Sequence, residues 1–225
     1  MTYMGGIVPR LGDMEQGSKP RSVKIGDDER LGWSSERPRR ESGPPRPADI
    51  STRNRVLKPS EELMYSPGSL VVVASGAPAE ADSFVNRLVQ QKGALFSMTK
   101  VRALLDGRVG EAELETRAQE LLTSVIAKRL EAGETVVLVA ETLEPEEREP
   151  FVRLAAAASR PRHLVLFEPA GVNLDDEAKA ALSDLRRRLT AGELGQEGFQ
   201  TSLRLAGKTI GEVKRLDFQR PSRDD

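Results

Sequence analysis

The chain has 225 residues, with 34 basic and 35 acidic side chains, one histidine and no cysteine. The lack of cysteine excludes disulfides, thiolate metal sites and cysteine nucleophiles, and a single histidine argues against a multi-histidine metal site. The balanced charge gives no overall attraction to nucleic acid or anionic membrane. No apolar stretch approaches the ~18 residues of a membrane span. The first residues lack the pattern of a secretory signal, so we expect a cytoplasmic protein without membrane partners.

Residues 1–60 have the composition of a tail. Pro, Gly, Ser and Arg dominate, as in ERPRRESGPPRPAD at 36–49, and apolar residues are isolated. No face could bury enough surface to offset the entropy lost on ordering, so we predict a disordered tail. Twelve basic and eight acidic residues give this segment a charge of +4. This charge permits weak contact with nucleic acid, although a solvated linker is the simpler interpretation.

Residues 61–206 alternate between apolar strands and amphipathic helices. Continuous apolar runs are typical of strands that are covered on both faces. They predict strands at Leu70–Ala74, Ala94–Ser97, Thr135–Ala140 and Leu164–Phe167. Phe199–Leu205 alternates like an edge strand. The connections are too long for hairpins, so the fold class is α/β, with a doubly wound, mainly parallel sheet.

Helices are predicted between these strands from apolar residues at helical spacing. They cover Ala79–Gln91 with Gly93 as its terminator, a short segment capped by Thr99, Glu111–Ala132, a segment from Pro145, and Asp175–Leu189. The longest helix has a predicted buried stripe of Leu114, Ala118, Leu121, Leu122, Val125, Ile126 and Leu130. Residues 207–225 are interpreted as a short docked helix and a tail. His163, beside an apolar run, is expected to be a structural residue.

The stretch Ser69–Phe84, SLVVVASGAPAEADSF, has the strand–loop–helix outline of a phosphate-binding loop. In a parallel sheet, ligands sit at the carboxyl ends of the strands. The loops after Ala74, Ser97, Ala140 and Phe167 should therefore share one crevice.

Five pieces of sequence, in order from about Leu70 to Leu205, resemble the kinase domain of bacterial polynucleotide kinases and related AAA-type P-loop NTPases. LVVVASGAPAEADSF stands where that family has G-x-x-G-x-G-K-[ST]-x-F, and FSMTKVRALLDG where it has S-S-D-x-x-R. AKRLEAGETVVLVAETLEPEEREPFVRLA matches R-L-x-x-G, a strand, D-A-T-N and P-x-x-R. HLVLFEPA matches the next strand and its Pro, and LRRRL followed by EGFQTSLRL matches a helix, E-G-F and a strand. The resemblance implies a P-loop kinase-like domain.

The phosphate-loop positions implied by this resemblance carry unsuitable residues. Ser75 stands for the first Gly, Pro78 for a middle Gly, Glu80 for the Gly before the Lys, and Ala81 for the Lys. Asp82 and Ser83 take the Mg²⁺-ligand position and its neighbour, and Gly76 belongs to the same vestigial pocket. A proline removes a donor. A carboxylate repels a phosphate charge by roughly 4 kcal/mol at 4 Å and an effective dielectric constant of 20. Glu80 and Asp82 are alternatively the acids of a helix first turn.

The other implied positions are also altered. Thr99 replaces the general-base Asp and cannot accept a proton near neutral pH. Arg102 matches the Arg that holds the acceptor phosphate, and is alternatively structural. Val139 replaces the strand-end Asp, while Glu141 could reach a metal or be a loop carboxylate. The arginine-bearing lid has no counterpart after Pro169.

We therefore expect a catalytically inactive, bacterial P-loop kinase-like domain with a degenerate phosphate loop, acting as an interaction or regulatory module for a protein partner. No cofactor or metal is expected. One alternative is a kinase or ATPase that binds ATP–Mg²⁺ unconventionally, using Asp82, Glu141 and Arg102. Another is a nucleic-acid-binding protein that uses the basic tail, Arg102 and Arg186–Arg188, although the last three are more simply a solvated helix face.

Overall fold

The computed structural model describes residues 49–218. The predictions for residues 1–48 and 219–225, including the disordered tail, lie outside the described residues. The described strands are Arg55–Leu57 (β1), Glu62–Met64 (β2), Leu70–Ala74 (β3), Leu95–Ser97 (β4), Val136–Val139 (β5), Arg162–Glu168 (β6), Thr201–Ala206 (β7) and Arg215–Asp217 (β8). The helices are Pro78–Leu88 (α1), Met98–Leu105 (α2), Glu111–Glu131 (α3), Pro145–Ala157 (α4), Asp176–Ala191 (α5) and Lys208–Glu212 (α6).

Six strands form one parallel sheet in the order β1-β7-β6-β3-β5-β4. The mainly parallel α/β fold predicted from the apolar runs is confirmed. β3 lies between β6 and β5, and all five of its residues are buried. Both of its faces are covered by other elements, which is why its sequence does not alternate.

The two faces of β3 contribute to two separate cores. Leu70, Val72 and Ala74 join a cluster that includes buried side chains of α3, α4 and α5. Val71 and Val73 join a second cluster with α1 and with the small two-stranded sheet β2-β8. In the described part of the chain, none of the helices is long and apolar enough to cross a membrane.

β7 is an interior strand, so the prediction of an edge strand was wrong. β1 pairs with it in parallel, with Arg55 opposite Thr201 and Leu57 opposite Leu203. β1 lies in the segment that the sequence assigned to the tail, and this boundary is corrected too. The backbone of the entering segment approaches a glycine closely: a Cβ on Gly195 would lie 2.0 Å from the carbonyl oxygen of Thr52. β1 has only three residues, which is too short for its sequence to show the alternation of a strand.

Two predicted helix ends also differ. α1 ends at Leu88, because Val89 is extended, buried and bridged to Leu216 in β8. Gly93 therefore does not terminate α1. Thr99 does not cap α2 but lies within it, and the Ser97 Oγ instead accepts the N–H of Lys100 at 3.4 Å.

The buried stripe of α3 is narrower than predicted. Ala118, Leu122, Ile126 and Leu130 are buried, whereas Leu121 is exposed, and Leu114 and Val125 are only partly buried. The four buried positions are spaced every four residues, so only one stripe of the helix touches the core. The predicted docked helix near the C-terminus is the short α6, which leads into β8.

His163 is a buried residue of β6, as its position beside an apolar run predicted. Its ring contacts the hydroxyls of Thr201 at 2.8 Å and Ser69 at 3.3 Å. The Tyr65 ring lies against it, with ring centroids 4.5 Å apart. Its environment is that of a structural residue.

Candidate functional site

Only three residues, Ser75 to Ala77, connect β3 to α1. Ser75 is buried, and its Oγ accepts the backbone N–H of Ala77 at 3.0 Å. Helix α1 begins at Pro78, which has no N–H, and the carbonyl of Ala77 accepts the N–H of Ala81 at 3.0 Å. A phosphate-binding loop needs several N–H groups directed at its ligand. This turn is too short to wrap a phosphate, and one of its donors is already used.

Leu174 covers the middle of this turn. A Cβ built on Gly76 would lie 2.7 Å from Cδ2 of Leu174, so a larger residue there would require the leucine side chain to move. Leu174 belongs to the loop between β6 and α5. Grooves of about 320 and about 190 Å³ flank the contact, and Gly76 lines both. An apolar side chain therefore occupies the space beside the turn where a phosphate loop would hold an anion.

The next residues of the implied phosphate loop point in different directions. Ala81, at the lysine position, is fully buried in the core between α1 and the sheet. Glu80 and Ser83 are exposed and line a separate open groove of about 610 Å³ with Phe84 and Arg87. The lysine position therefore faces the core and not the crevice.

Asp82, at the implied Mg²⁺-ligand position, is held by a lysine from another helix. Its Oδ1 accepts a hydrogen bond from the Lys100 ammonium at 2.8 Å, and its Oδ2 accepts one from Asn86 at 3.2 Å. Lys100 lies in α2. The carboxylate is thus committed to an ion pair across the crevice.

Arg102 and Glu141, two of the candidate residues, contact each other. The Arg102 guanidinium donates hydrogen bonds to both oxygens of Glu141, and to Glu115 of α3 from Nε at 2.8 Å and from Nη2 at 2.8 Å. These bonds to Glu115, and then to Glu141, raise the pKa of Arg102, and the same contact lowers the pKa of Glu115. The guanidinium is shared by two carboxylates and is not directed at an open site.

The loop that carries Glu141 is fixed by a carboxylate from α4. Glu147 accepts the backbone N–H of Glu141 at 2.6 Å, the N–H of Thr142 at 2.6 Å and the Thr142 hydroxyl at 2.7 Å. Glu147 lies in the first turn of α4, where a carboxylate is favourable. The N–H groups at the end of β5 are therefore also satisfied within the chain.

The crevice predicted at the carboxyl ends of the strands exists in part. Asp82, Thr99 and Glu141 line a cavity of about 160 Å³ together with Val139. Ser75 and Gly76 lie in the neighbouring groove, which Glu141 also lines. Glu80, Ala81 and Ser83 lie outside both cavities. The structure thus brings together polar residues from the segments that follow β3, β4 and β5, but separates them from most of the implied phosphate loop.

Arg186 and Arg187 are exposed on α5, as the interpretation of a solvated helix face predicted, whereas Arg188 is largely buried. Arg186 pairs with Glu168, Arg187 with Asp184 and Glu193, and Arg188 with Glu197, where Arg188 is only 16% exposed. Burial opposes the ionisation of Glu168, but hydrogen bonds from Arg186 and Arg204 outweigh burial and lower its pKa. Acidic partners already occupy all three arginines.

ATP with Mg²⁺, which the resemblance implies, does not fit these residues. The lysine position is buried, Leu174 covers the turn, and Lys100 engages the carboxylate of Asp82. Between residues 49 and 218, no group of three or more histidine, aspartate or glutamate side chains is arranged to hold a metal ion.

Sequence reasoning missed four residues that define this region: Leu174, Lys100, Glu115 and Glu147. The sequence gives one indication of Leu174, because it is an isolated leucine in a loop next to two acids, VNLDD. Glu147 had another, as an acid in the first turn of a helix. Lys100 and Glu115 carried no signal, because their partners come from other elements.

Residues 80–180 match the family model of an AAA domain. A solved structure of a proposed kinase from Chloroflexus aurantiacus is 15% identical to the chain, with a TM-score of 0.38, and the alignment covers 65% of this chain and 88% of that chain. No curated protein matches the chain. The family match over residues 80–180 and the parallel six-stranded sheet support a P-loop kinase-like domain.

Proposed function

We propose that this P-loop kinase-like domain does not bind or hydrolyse a nucleoside triphosphate and acts in the cytoplasm as an interaction or regulatory module for a protein partner. The observation that carries the proposal is the closed turn between β3 and α1. Leu174 covers Gly76, and the Ser75 Oγ takes the N–H of Ala77. Phosphoryl transfer depends on positioning and charge stabilisation, and this turn supplies neither for a triphosphate.

The remaining charged candidates support the same conclusion. Asp82 is neutralised by Lys100, and Arg102 is neutralised by Glu115 and Glu141. A metal-bound nucleotide would have to break these pairs before it could use either group. We also propose that the domain is related by ancestry to bacterial polynucleotide kinases, without sharing their activity.

The test is calorimetric titration of the full chain with ATP–Mg²⁺ up to millimolar concentration, with melting temperature as a second readout. We expect no binding heat and no increase in melting temperature. A bound ligand at 100 times its dissociation constant stabilises a protein by about 2.7 kcal/mol, so saturable binding would be obvious. Saturable binding, or turnover of ATP, would overturn the proposal.

The interaction role is tested separately by affinity capture of the full chain from its own cell extract. A stoichiometric protein partner is expected at physiological salt. Retention on DNA or RNA that weakens steeply with salt would instead favour the nucleic-acid alternative, since counterion release governs such binding.

A further inference from the structure

Helix α2 is weakly held by apolar contacts. Of its eight residues, only Met98 and Val101 are buried, and Leu104 is 59% exposed. Its N-terminal cap is a long hydrogen bond of 3.4 Å from the Lys100 N–H to the Ser97 Oγ. The segment that follows, residues 106–110, is mostly exposed. An element with so little buried surface belongs to the least stable part of a domain.

Two ion pairs nevertheless tie α2 to elements across the crevice. Lys100 pairs with Asp82 of α1 at 2.8 Å, and Arg102 pairs with Glu141 in the loop after β5. Both partners lie on the far side of the cavity of about 160 Å³ that Asp82 and Glu141 line. All four side chains are between 28% and 36% exposed, so water and salt reach them.

We propose that these two pairs, Lys100–Asp82 and Arg102–Glu141, form a latch that holds α2 closed over the crevice. Opening of α2 then uncovers the cavity and the apolar side chains of Met98 and Val101 without unfolding the sheet. The charges are complementary across the crevice, and neither pair lies within one helix. The latch stands on these contacts alone and does not depend on the proposed function.

The Arg102–Glu115 contact does not close the latch. Glu115 lies in α3, and its side chain is 66% exposed. The pair joins α2 to α3, which adjoins it in the chain, and it does not cross the cavity. Arg102 can therefore leave Glu141 and still be paired with Glu115.

Hydrogen–deuterium exchange tests the latch in the double variant Lys100→Gln with Glu141→Gln. The matched control is Arg117→Gln, which removes pairs to Glu113 and Glu120 within α3. Peptides covering residues 98–105 should exchange about tenfold faster in the double variant, as expected for two partly exposed pairs. Peptides from β3, β5 and β6 should be unchanged, and so should every peptide of the control.

Unchanged exchange of α2 in the folded double variant would overturn the latch. Equal acceleration of α2 and the central strands would also overturn it, because the pairs would then stabilise the domain as a whole. If the double variant does not fold, the wild-type chain is compared at ~0.05 M and about 1 M NaCl, where screening weakens the partly exposed pairs. Selective acceleration of α2 at high salt supports the latch, and no selective change overturns it.

Discussion

The Arg102 guanidinium donates hydrogen bonds to both carboxylate oxygens of Glu141, which lies 39 residues later in the chain. These are the cation and the carboxylate that an unconventional phosphate site would need. Because each satisfies the other, neither is available to a ligand without breaking the pair. The charged groups of the crevice pair with one another across it.

A lysine at position 81, where the resemblance places the phosphate-loop lysine, should not confer nucleotide binding. Ala81 is fully buried between α1 and the sheet, so Ala81→Lys places an ammonium group in the core. We expect a loss of roughly 3–5 kcal/mol in the free energy of unfolding, measured by urea denaturation, and no ATP binding by calorimetry. The control, Ala79→Lys, is at an exposed position of α1 and should change stability little. An Ala81→Lys protein of normal stability that binds ATP would refute this prediction.

Arg148 should be one of the most important single side chains for stability. It is 2% exposed and donates to Glu197 at 2.5 and 2.8 Å and to the carbonyl of Leu143 at 2.7 Å. Arg148→Ala leaves a buried carbonyl without this donor and Glu197 with Arg188 as its remaining cation. We expect a loss of about 3–5 kcal/mol in urea unfolding.

The control for Arg148 is Arg117→Ala on the exposed face of α3. Its ion pairs to Glu113 and Glu120 are within one helix, and the change should cost less than about 0.5 kcal/mol. Equal losses of unfolding free energy in the two variants would show that the buried pair stabilises the domain no more than an exposed pair does.

Ser159 should be replaceable by glycine with a gain in stability. It follows α4 with φ of 55°, a left-handed conformation that is unfavourable for a residue with a Cβ. Ser159→Gly should stabilise the domain by about 1 kcal/mol, or raise the melting temperature by about 2–4 °C. The opposite change at the end of α3, Gly133→Ser, should be destabilising, because Gly133 has φ of 77° and a Cβ there would lie 3.0 Å from Arg160. A lower melting temperature of Ser159→Gly would contradict this assignment of strain.

His163 should make the domain less stable in mild acid. The Ser69 hydroxyl donates to the carbonyl of Ser66 at 2.6 Å, so it accepts from Nε2–H of His163, and Nδ1 accepts from Thr201. Burial, and then the charge of Arg162, lower the pKa of His163 to about 4. The neutral ring fits this network, whereas a protonated ring would be charged and buried.

The sign of the pH effect follows from proton binding. Between pH 6.5 and about 4 the unfolded chain binds the His163 proton and the folded chain does not, so stability falls as the pH falls through this window. The loss approaches about 3 kcal/mol below pH 4. Urea unfolding between pH 7 and 4 should show a smaller loss for His163→Gln than for the wild-type chain. Parallel profiles of the two proteins would rule out this role of the imidazole.

The central strands, the long helices and the parallel arrangement could be predicted, because burial on both faces leaves an unbroken apolar run such as Leu70–Ala74. The sequence also gives the residues of the turn between β3 and α1 and of the start of α1. Pro78 and Ala81 there already indicated a poor phosphate loop. β1 could not be predicted, since three residues with two exposed side chains carry no periodic signal.

The sequence by itself determined which residues stand at the implied phosphate-loop positions and which runs form the core of the sheet. Only the tertiary structure decided what those residues contact. Leu174 contacts Gly76, Lys100 contacts Asp82 and Arg102 contacts Glu141, and in each pair the two residues belong to different elements. The local sequence pattern indicates which residues are buried and which backbone conformation they prefer. The pairing of charges and the covering of a turn depend instead on which elements the fold places side by side.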